Sequence, residues 1–294
     1  MTHRFYMVDV FAERSYAGNQ LPVVLGAEDL SDEMMQQFAA EMNFSETTFV
    51  YSMPEQDGGY RVRIFTPARE IAFTGHPILG TAWIIQRHLI TEDCNQVQLN
   101  IEVGQVSVTF ETAADGKEIV WFQAPAMELG QTSTAKRLAA VLGLKEEDVG
   151  TETPIQVVSA GTSAMMVPLR SLEALRRSMF NLDAFSSLAN EGFPPLVYLF
   201  CDQTHLPHND LCVRFFFEAH GVREDPATGN GAAFLGAYLL EHQSVADSVL
   251  NLRIEQGHEV RRPSLIMLRA QKKNASRKVE VGGYVIPTLQ GELL

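Results

Sequence analysis

Three ionisable residues stand in settings unlike those of an ordinary surface charge. Glu46 lies in Asn43-Phe-Ser-Glu-Thr-Thr-Phe-Val50, close to Phe44, Phe49 and Val50. Apolar surroundings of that kind raise a carboxyl pKa toward neutrality, the condition for giving and taking a proton at cellular pH. A solvated glutamate ahead of a strand is the competing reading, and the two weigh about equally. His76 sits in Gly75-His76-Pro77 and Asp225 in Glu224-Asp-Pro-Ala-Thr-Gly229. Their plainer readings are a buried or capping histidine and an aspartate that opens a turn. His76 follows Gly75 and Asp225 stands four residues before Gly229, each glycine leading into an apolar run, and a helix starting there leaves backbone N–H groups without acceptors at the positive end of its dipole. Such a start can hold a carboxylate or phosphate.

Pro77 suits the first helical position, which leaves Gly75, His76, Ile78 and Leu79 as donors. At the second start Thr228 is the expected cap, and Gly229, Asn230 and Gly231 let a backbone approach a ligand closely, with donors as far as Ala232. Neither sequence is a complete G-x-G-x-x-G or G-x-x-x-x-G-K-[ST] loop, so dinucleotide binding is disfavoured. The 8 histidines show no H-x-x-x-H or H-E-x-x-H spacing, so no metal is expected. Cys94, Cys201 and Cys212 are odd in number and lack C-x-x-C spacing, which reads as buried thiols.

The elements that must position these residues occur twice. Val62-Arg-Ile-Phe65, Gly75-His-Pro-Ile-Leu-Gly80, a helical stretch to about His88 and Val97–Gly104 are followed by Val213-Arg-Phe-Phe216, Gly229-Asn-Gly-Ala-Ala-Phe234, a helical stretch to about His242 and Leu250–Gly257. Arg63 and Arg214, Gly75 and Gly229, and Gly104 and Gly257 keep nearly the same separation, so the order is an internal repeat. Ile78–Ile85 and Ala232–Leu240 are apolar nearly all round, and helices of that composition must be enclosed. The expected fold is α+β: two pseudo-symmetric domains, each a mostly antiparallel sheet or barrel wrapped around a central helix.

Alternating segments supply further strands at Arg4–Phe11, Leu21–Leu25, Thr47–Tyr51, Gln105–Glu111, Glu118–Phe122, Gln156–Ser159, Leu196–Cys201 and Lys278–Ile286. Peripheral helices fit Asp32–Met42, Ser133–Leu142 and Ser171–Met179, with Ser31 and Thr132 as caps and Gly143 closing the second. The loop Pro125–Gln131 divides domains 1–124 and 125–294, and the terminal strand 279–294 is a candidate to pack with the first.

The chain has 294 residues, 46% hydrophobic and 20% charged, enough for two cores. Its 23 Lys and Arg against 36 Asp and Glu give a net charge of −13. Basic pairs as short as Arg261-Arg262 and Lys272-Lys273 argue against nucleic-acid binding. Arg4 and Asp9 interrupt the apolar start that a signal peptide needs, and runs such as Leu196–Cys201 are too short to span a membrane, so a cytoplasmic protein without membrane partners is expected.

The motifs Val8-Asp-Val-Phe11, Gly18-Asn19, Asn43-x-Ser-Glu-Thr-x-Phe49, Phe65-Thr-Pro67, Gly75-His-Pro77, Glu224-Asp-Pro-Ala-Thr-Gly229 and Gln256-Gly-(x)4-Arg-Pro-Ser264 run nearly end to end. This pattern resembles the PhzF-like proteins of phenazine biosynthesis, which share the diaminopimelate epimerase fold. The resemblance implies a cofactor-independent isomerase of a small carboxylate, similar to dihydro-hydroxyanthranilate isomerase, with its site in a cleft between two domains, and a homodimer. It implies that Glu46 shuttles the proton while His76 and Asp225 hold and polarise the substrate. It places substrate contacts at Asn19, Ser45, Gly75, Gly229, Asn230 and Gly231. Asn230 stands where the phenazine enzyme has serine, which implies a different specificity. The rival readings are an amino-acid epimerase or racemase and a small-molecule-binding homodimer without turnover. Epimerases of this fold use two cysteines at the helix starts, and none of the three cysteines is there.

Overall fold

The computed structural model describes residues 3–217, 222–242, 249–273 and 276–293. The chain divides into one unit of residues 1–123 with 282–294 and another of residues 124–281. In the first, strands β1 (Arg4–Val10), β2 (Asn19–Leu25), β3 (Thr47–Pro54), β4 (Tyr60–Phe65), β5 (Glu70–Ile71), β6 (Gln96–Ile101), β7 (Gly104–Thr112) and β8 (Glu118–Gln123) accompany helices α1 (Asp32–Met42) and α2 (Gly75–His88). The second carries β9 (Glu128–Ser133), β10 (Ile155–Ala160), β11 (Thr162–Pro168), β12 (Val197–Cys201), β13 (Leu211–Phe217), β14 (Val222–Asp225), β15 (Val249–Gln256), β16 (Ser264–Lys273) and most of β17 (Ser276–Gly283). Its helices are α3 (Ala135–Val141), α4 (Leu172–Arg177), α5 (Leu182–Asn190) and α6 (Gly229–His242). The last strand, β18 (Val285–Glu292), returns to the first unit beside β1.

The repeat in the sequence is a repeat in pairing. In the first unit the neighbours run β18, β1, β2, β3, β4, β6, β7, with the β2–β3 and β4–β6 pairs parallel and the others antiparallel. In the second they run β9, β10, β11, β12, β13, β15, β16, with β11–β12 and β13–β15 parallel and the others antiparallel. A short strand is added to the Arg-bearing strand in each, β5 on β4 and β14 on β13. There Arg63 forks onto Glu70 through Nε and Nη2, both at 2.7 Å, and Arg214 onto Glu224 at 2.9 and 2.6 Å.

Each unit encloses one helix. Helix α2 packs against β1, β2, β3, β6, β7, β8 and β18, and Ile78, Leu79, Ile84 and Ile85 are fully buried. Burial of one such side chain is worth about 1.5–3 kcal/mol. The strands come so close that a Cβ at Gly80 would lie 2.7 Å from Leu21 and 2.9 Å from Val10. Helix α6 is covered in the same way by β10, β11, β15 and β16.

Several expectations are corrected. Thr132 lies within β9, and Thr134 precedes α3 instead. The segment 125–131 already contains the start of β9, and the single strand expected at 278–286 is two, broken at Tyr284. Strands β11 and β16 and helix α5 had no signal strong enough to be read: β11 and β16 are nearly continuous apolar runs without clear alternation. Ser31 does cap α1, accepting from the Met34 N–H at 3.2 Å, and Gly143 holds a left-handed φ of 63° beyond α3.

Candidate active site

Two turns and one helix bring the first unit's polar residues together. Helix α1 stops at Asn43, whose φ of 52° reverses the chain while its N–H reaches the Ala39 carbonyl. Glu46 follows three residues later, immediately before β3, and is 7% exposed. Ser45 is half-buried ahead of it. The buried hydroxyls of Thr48 on β3 and Thr81 on α2 bond at 2.8 Å, fixing that strand against the helix that carries His76.

The second turn links β1 to β2. Phe11, Tyr16 and Gly18 all have positive φ, and a Cβ at Gly18 would lie 2.3 Å from the Val10 carbonyl oxygen. Glycine is required by that approach. The buried Asp9 carboxylate accepts from the Tyr16 N–H at 2.6 Å and holds the loop, so Asn19 emerges opposite Val10 as the first residue of β2.

His76 is the second residue of α2 and 2% exposed. Its Nδ1 lies 3.3 Å from Asn19 Nδ2 and its Nε2 3.5 Å from Glu46 Oε2. Burial pushes its pKa down to about 3, against a backbone hydrogen bond with Gln20 that acts in the opposite direction. A neutral imidazole has one proton to place. Asn19 lies on its Nδ1 side and Glu46 on its Nε2 side, so the tautomer decides which of them meets a donor.

The start of α2 differs in detail from expectation. The helix begins at Gly75, so Pro77 is its third residue rather than its first. Only the first-turn N–H groups lack intrahelical acceptors, so Gly75 and His76 keep free donors while Ile78 and Leu79 bond within the helix. In the second unit the Ala232 N–H is likewise committed, to Thr228 O at 3.0 Å. Gly229, Asn230 and Gly231 are left as that helix's first three residues. A Cβ at Gly231 would lie 2.4 Å from the Tyr198 ring, so packing by itself demands this glycine. Asn230 and His76 hold the same place, second in their helices.

The second start has an organiser outside the acid–base candidates. Gln256, fully buried at the end of β15, donates to the Asp225 carbonyl at 2.8 Å and to Thr228 Oγ1 at 3.0 Å, and accepts from the Thr228 N–H at 3.0 Å. The Thr228 hydroxyl is then left to donate to Asp225 Oδ2, at 2.5 Å. Its signal in the sequence was position: a polar residue closing an alternating strand just before Gly257, whose φ is 79°. Tyr198 was also missed. It is wholly buried, its hydroxyl has no hydrogen bond among the described residues, and burial with the nearby charge of Asp225 drives its pKa well up.

The cysteines lie elsewhere. Cys201 and Cys212 are cross-strand neighbours on β12 and β13, and burial pushes the Cys201 thiol up to about 11 and Cys212 further. Cys94 precedes β6.

Comparison with known proteins shows the family. The family model described as phenazine biosynthesis-like protein, PhzC-PhzF, matches residues 8–291. The chain belongs to the PhzC-PhzF family. A trans-2,3-dihydro-3-hydroxyanthranilate isomerase of Pseudomonas aeruginosa is 35% identical over 277 residues, 92% of this chain and 91% of that one. A crystal structure of a Bacillus anthracis phenazine biosynthesis protein of the PhzF family superposes with a TM-score of 0.89 at 25% identity, covering 100% and 99% of the two chains. A hydroxyproline epimerase from Agrobacterium vitis shares the fold at a TM-score of 0.64 and 11% identity, covering 99% and 92%. This member of the PhzC-PhzF family is an isomerase, with the mixed α+β fold of these neighbours. Among its described residues no helix is long and apolar enough to cross a membrane.

Proposed function

We propose that this PhzF-type isomerase moves a proton within a small carboxylate-bearing substrate without a cofactor, using Glu46 as its one acid–base group. The observation that carries the reading is the buried Glu46 carboxylate set against the neutral His76 ring at 3.5 Å. The Glu46 carboxylate takes a proton from one substrate carbon, the double bond shifts, and the same group returns the proton to another carbon on the same face. No electrons leave the substrate, so the step balances without a redox partner. His76, carrying no charge beside the carboxylate, leaves it the basicity that an imidazolium would quench.

The free amides of Gly75 and His76 are proposed to bind the substrate's carboxylate, with Asn19 holding the ring of His76 and Ser45 adding a hydroxyl. Asp225, fixed by Thr228 and Gln256, and the amides of Gly229, Asn230 and Gly231 are proposed as further polar contacts to substrate. The name of the Pseudomonas aeruginosa relative points to a dihydro-hydroxy carboxylate as the substrate class, and Asn230 to a variation on it. A cysteine-based epimerase reading finds no support in Cys201 and Cys212, whose thiols are buried, cross-strand and poorly ionised, or in Cys94 ahead of β6. The protein acts as a homodimer in this reading.

The test is a screen of small unsaturated hydroxy and amino carboxylates in D2O, with mass spectrometry reading isomer formation and solvent deuterium. A single-base shuttle transfers part of the substrate's own proton, so deuterium incorporation below one atom per turnover supports it. Isomerisation that vanishes on removal of a dissociable cofactor would overturn it.

A further inference from the structure

The second unit holds a group of side chains that this chemistry does not use. His205, in the loop after β12, and Glu255 and His258, at and beyond the end of β15, each place one ligand-type atom within 4.8 Å of the others. The two imidazole rings stack at 3.8 Å with 20° between their planes. His258 Nε2 lies 3.6 Å from Glu255 Oε2, too long for a hydrogen bond. Glu255 is 2% exposed and its carboxylate is already oriented. It accepts from the backbone N–H of His205 at 2.7 Å, from that of Leu206 at 2.8 Å and from the Asn209 side-chain amide at 2.7 Å.

That separation has a natural filling. Nitrogen and oxygen ligands bound at 2.0–2.2 Å to a tetrahedral ion stand about 3.3–3.6 Å apart. The distance from His258 Nε2 to Glu255 Oε2 falls there, and a His205 ring nitrogen lies within 4.8 Å of both. Fixing a ligating carboxylate by outer hydrogen bonds is how metal sites set geometry before the ion arrives.

We infer that His205, Glu255 and His258 form a binding site for one divalent transition-metal ion, of which zinc best suits two imidazoles and a carboxylate. A cavity of about 470 Å³ lies alongside, lined by Glu173, Arg176, Arg177, His205, His258 and Glu259. Its arginines are occupied, Arg177 by Asp148 at 2.5 Å and Arg176 by Glu259 at 3.9 Å, so they do not leave a bare positive field against a cation. Glu259, which shares that lining, has its Oε2 buried without a hydrogen bond among the described residues. Glu255 and Gln256 are consecutive on a strand and so point to opposite faces, one toward the ion and the other toward the start of α6. The ion would pin the loop around His205 to the strand that carries Gln256.

The test uses the full-length protein after chelator treatment, titrated with Zn2+ against a chromogenic chelator, with thermal denaturation in parallel. One ion per chain bound more tightly than about 10 μM, with a rise in Tm, is expected. His205→Asn and His258→Asn each weaken binding at least tenfold, whereas His208→Asn, an exposed change in the same loop, leaves it unchanged. Melts without zinc confirm that the variants fold. Failure to bind one ion per chain in that range, or equal affinity in both site variants and the wild type, overturns the proposal. The readout is binding, so this result and the fate of the Glu46 mechanism are separable.

Discussion

His76 Nε2 stands 3.5 Å from Glu46 Oε2 with the imidazole neutral, because burial lowers its pKa to about 3 from an ordinary 6.5. The unfolded chain therefore binds a proton that the folded chain refuses between those values. This contribution is fully present above pH 6.5 and is lost as the pH falls toward 3, at up to about 1.4 kcal/mol per pH unit. Tm should drop steeply below pH 6.5, and His76→Asn should flatten that slope. Parallel slopes for wild type and variant would mean that other groups carry the acid sensitivity.

Glu46→Gln keeps the shape of the side chain and removes the base. Solvent exchange into the substrate and turnover should both disappear, while affinity stays within about tenfold, ~1.4 kcal/mol. Calorimetry beside the D2O assay separates the two effects. Wild-type exchange in the variant would remove Glu46 from the mechanism.

Gln256 serves Asp225 and Thr228 with three hydrogen bonds from a fully buried position. Gln256→Ala leaves the Thr228 N–H without its acceptor, at a cost of about 1–3 kcal/mol. Denaturant melts should show that loss, accompanied by weaker substrate binding. A stable variant with normal affinity would show that Asp225 does not need this brace.

The paired arginines should respond unequally. The Arg214 and Glu224 side chains are 8% and 6% exposed, and Arg214 also donates to the carbonyls of Leu175, Arg176 and Ser178. Arg63 is 16% exposed, with partners Asp32 and Glu70 at 82% and 36%. Arg214→Ala is expected to cost about 3–5 kcal/mol, and Arg63→Ala about 1 kcal/mol or less. Equal losses in chemical denaturation would contradict this ranking.

Homodimerisation predicts a mass of about 65 kDa by light scattering, twice the 32.7 kDa chain. A value near one chain at micromolar concentration would refute it.

The sequence by itself determined the elements whose signal is local. Period and the Ser31 cap placed α1 to the residue, because that cap acts on its own neighbours. Composition showed that α2 and α6 must be enclosed, since an all-round apolar helix has no other stable setting. The spacing of Arg63, Gly75 and Gly104 with Arg214, Gly229 and Gly257 disclosed the duplication, because equivalent strands need equivalent chain lengths between them. Glu46, His76 and Asn19 were legible as candidates from motif and residue type.

Only tertiary structure decided which of them meet. Glu46 and His76 are thirty residues apart in sequence, and their 3.5 Å separation depends on the Asn43 reversal and the Thr48–Thr81 bond between β3 and α2. Which amides stay free depended on where each helix begins, a shift of two residues at Pro77 that no local preference fixed. Gln256 was visible only as part of a motif, because its partners Asp225 and Thr228 lie about thirty residues away and are reached through strand pairing. The same holds for His205, fifty residues before Glu255. Long-range placement of this kind comes from burying the central helices under sheets of fixed strand order, and single-residue chemistry does not encode it.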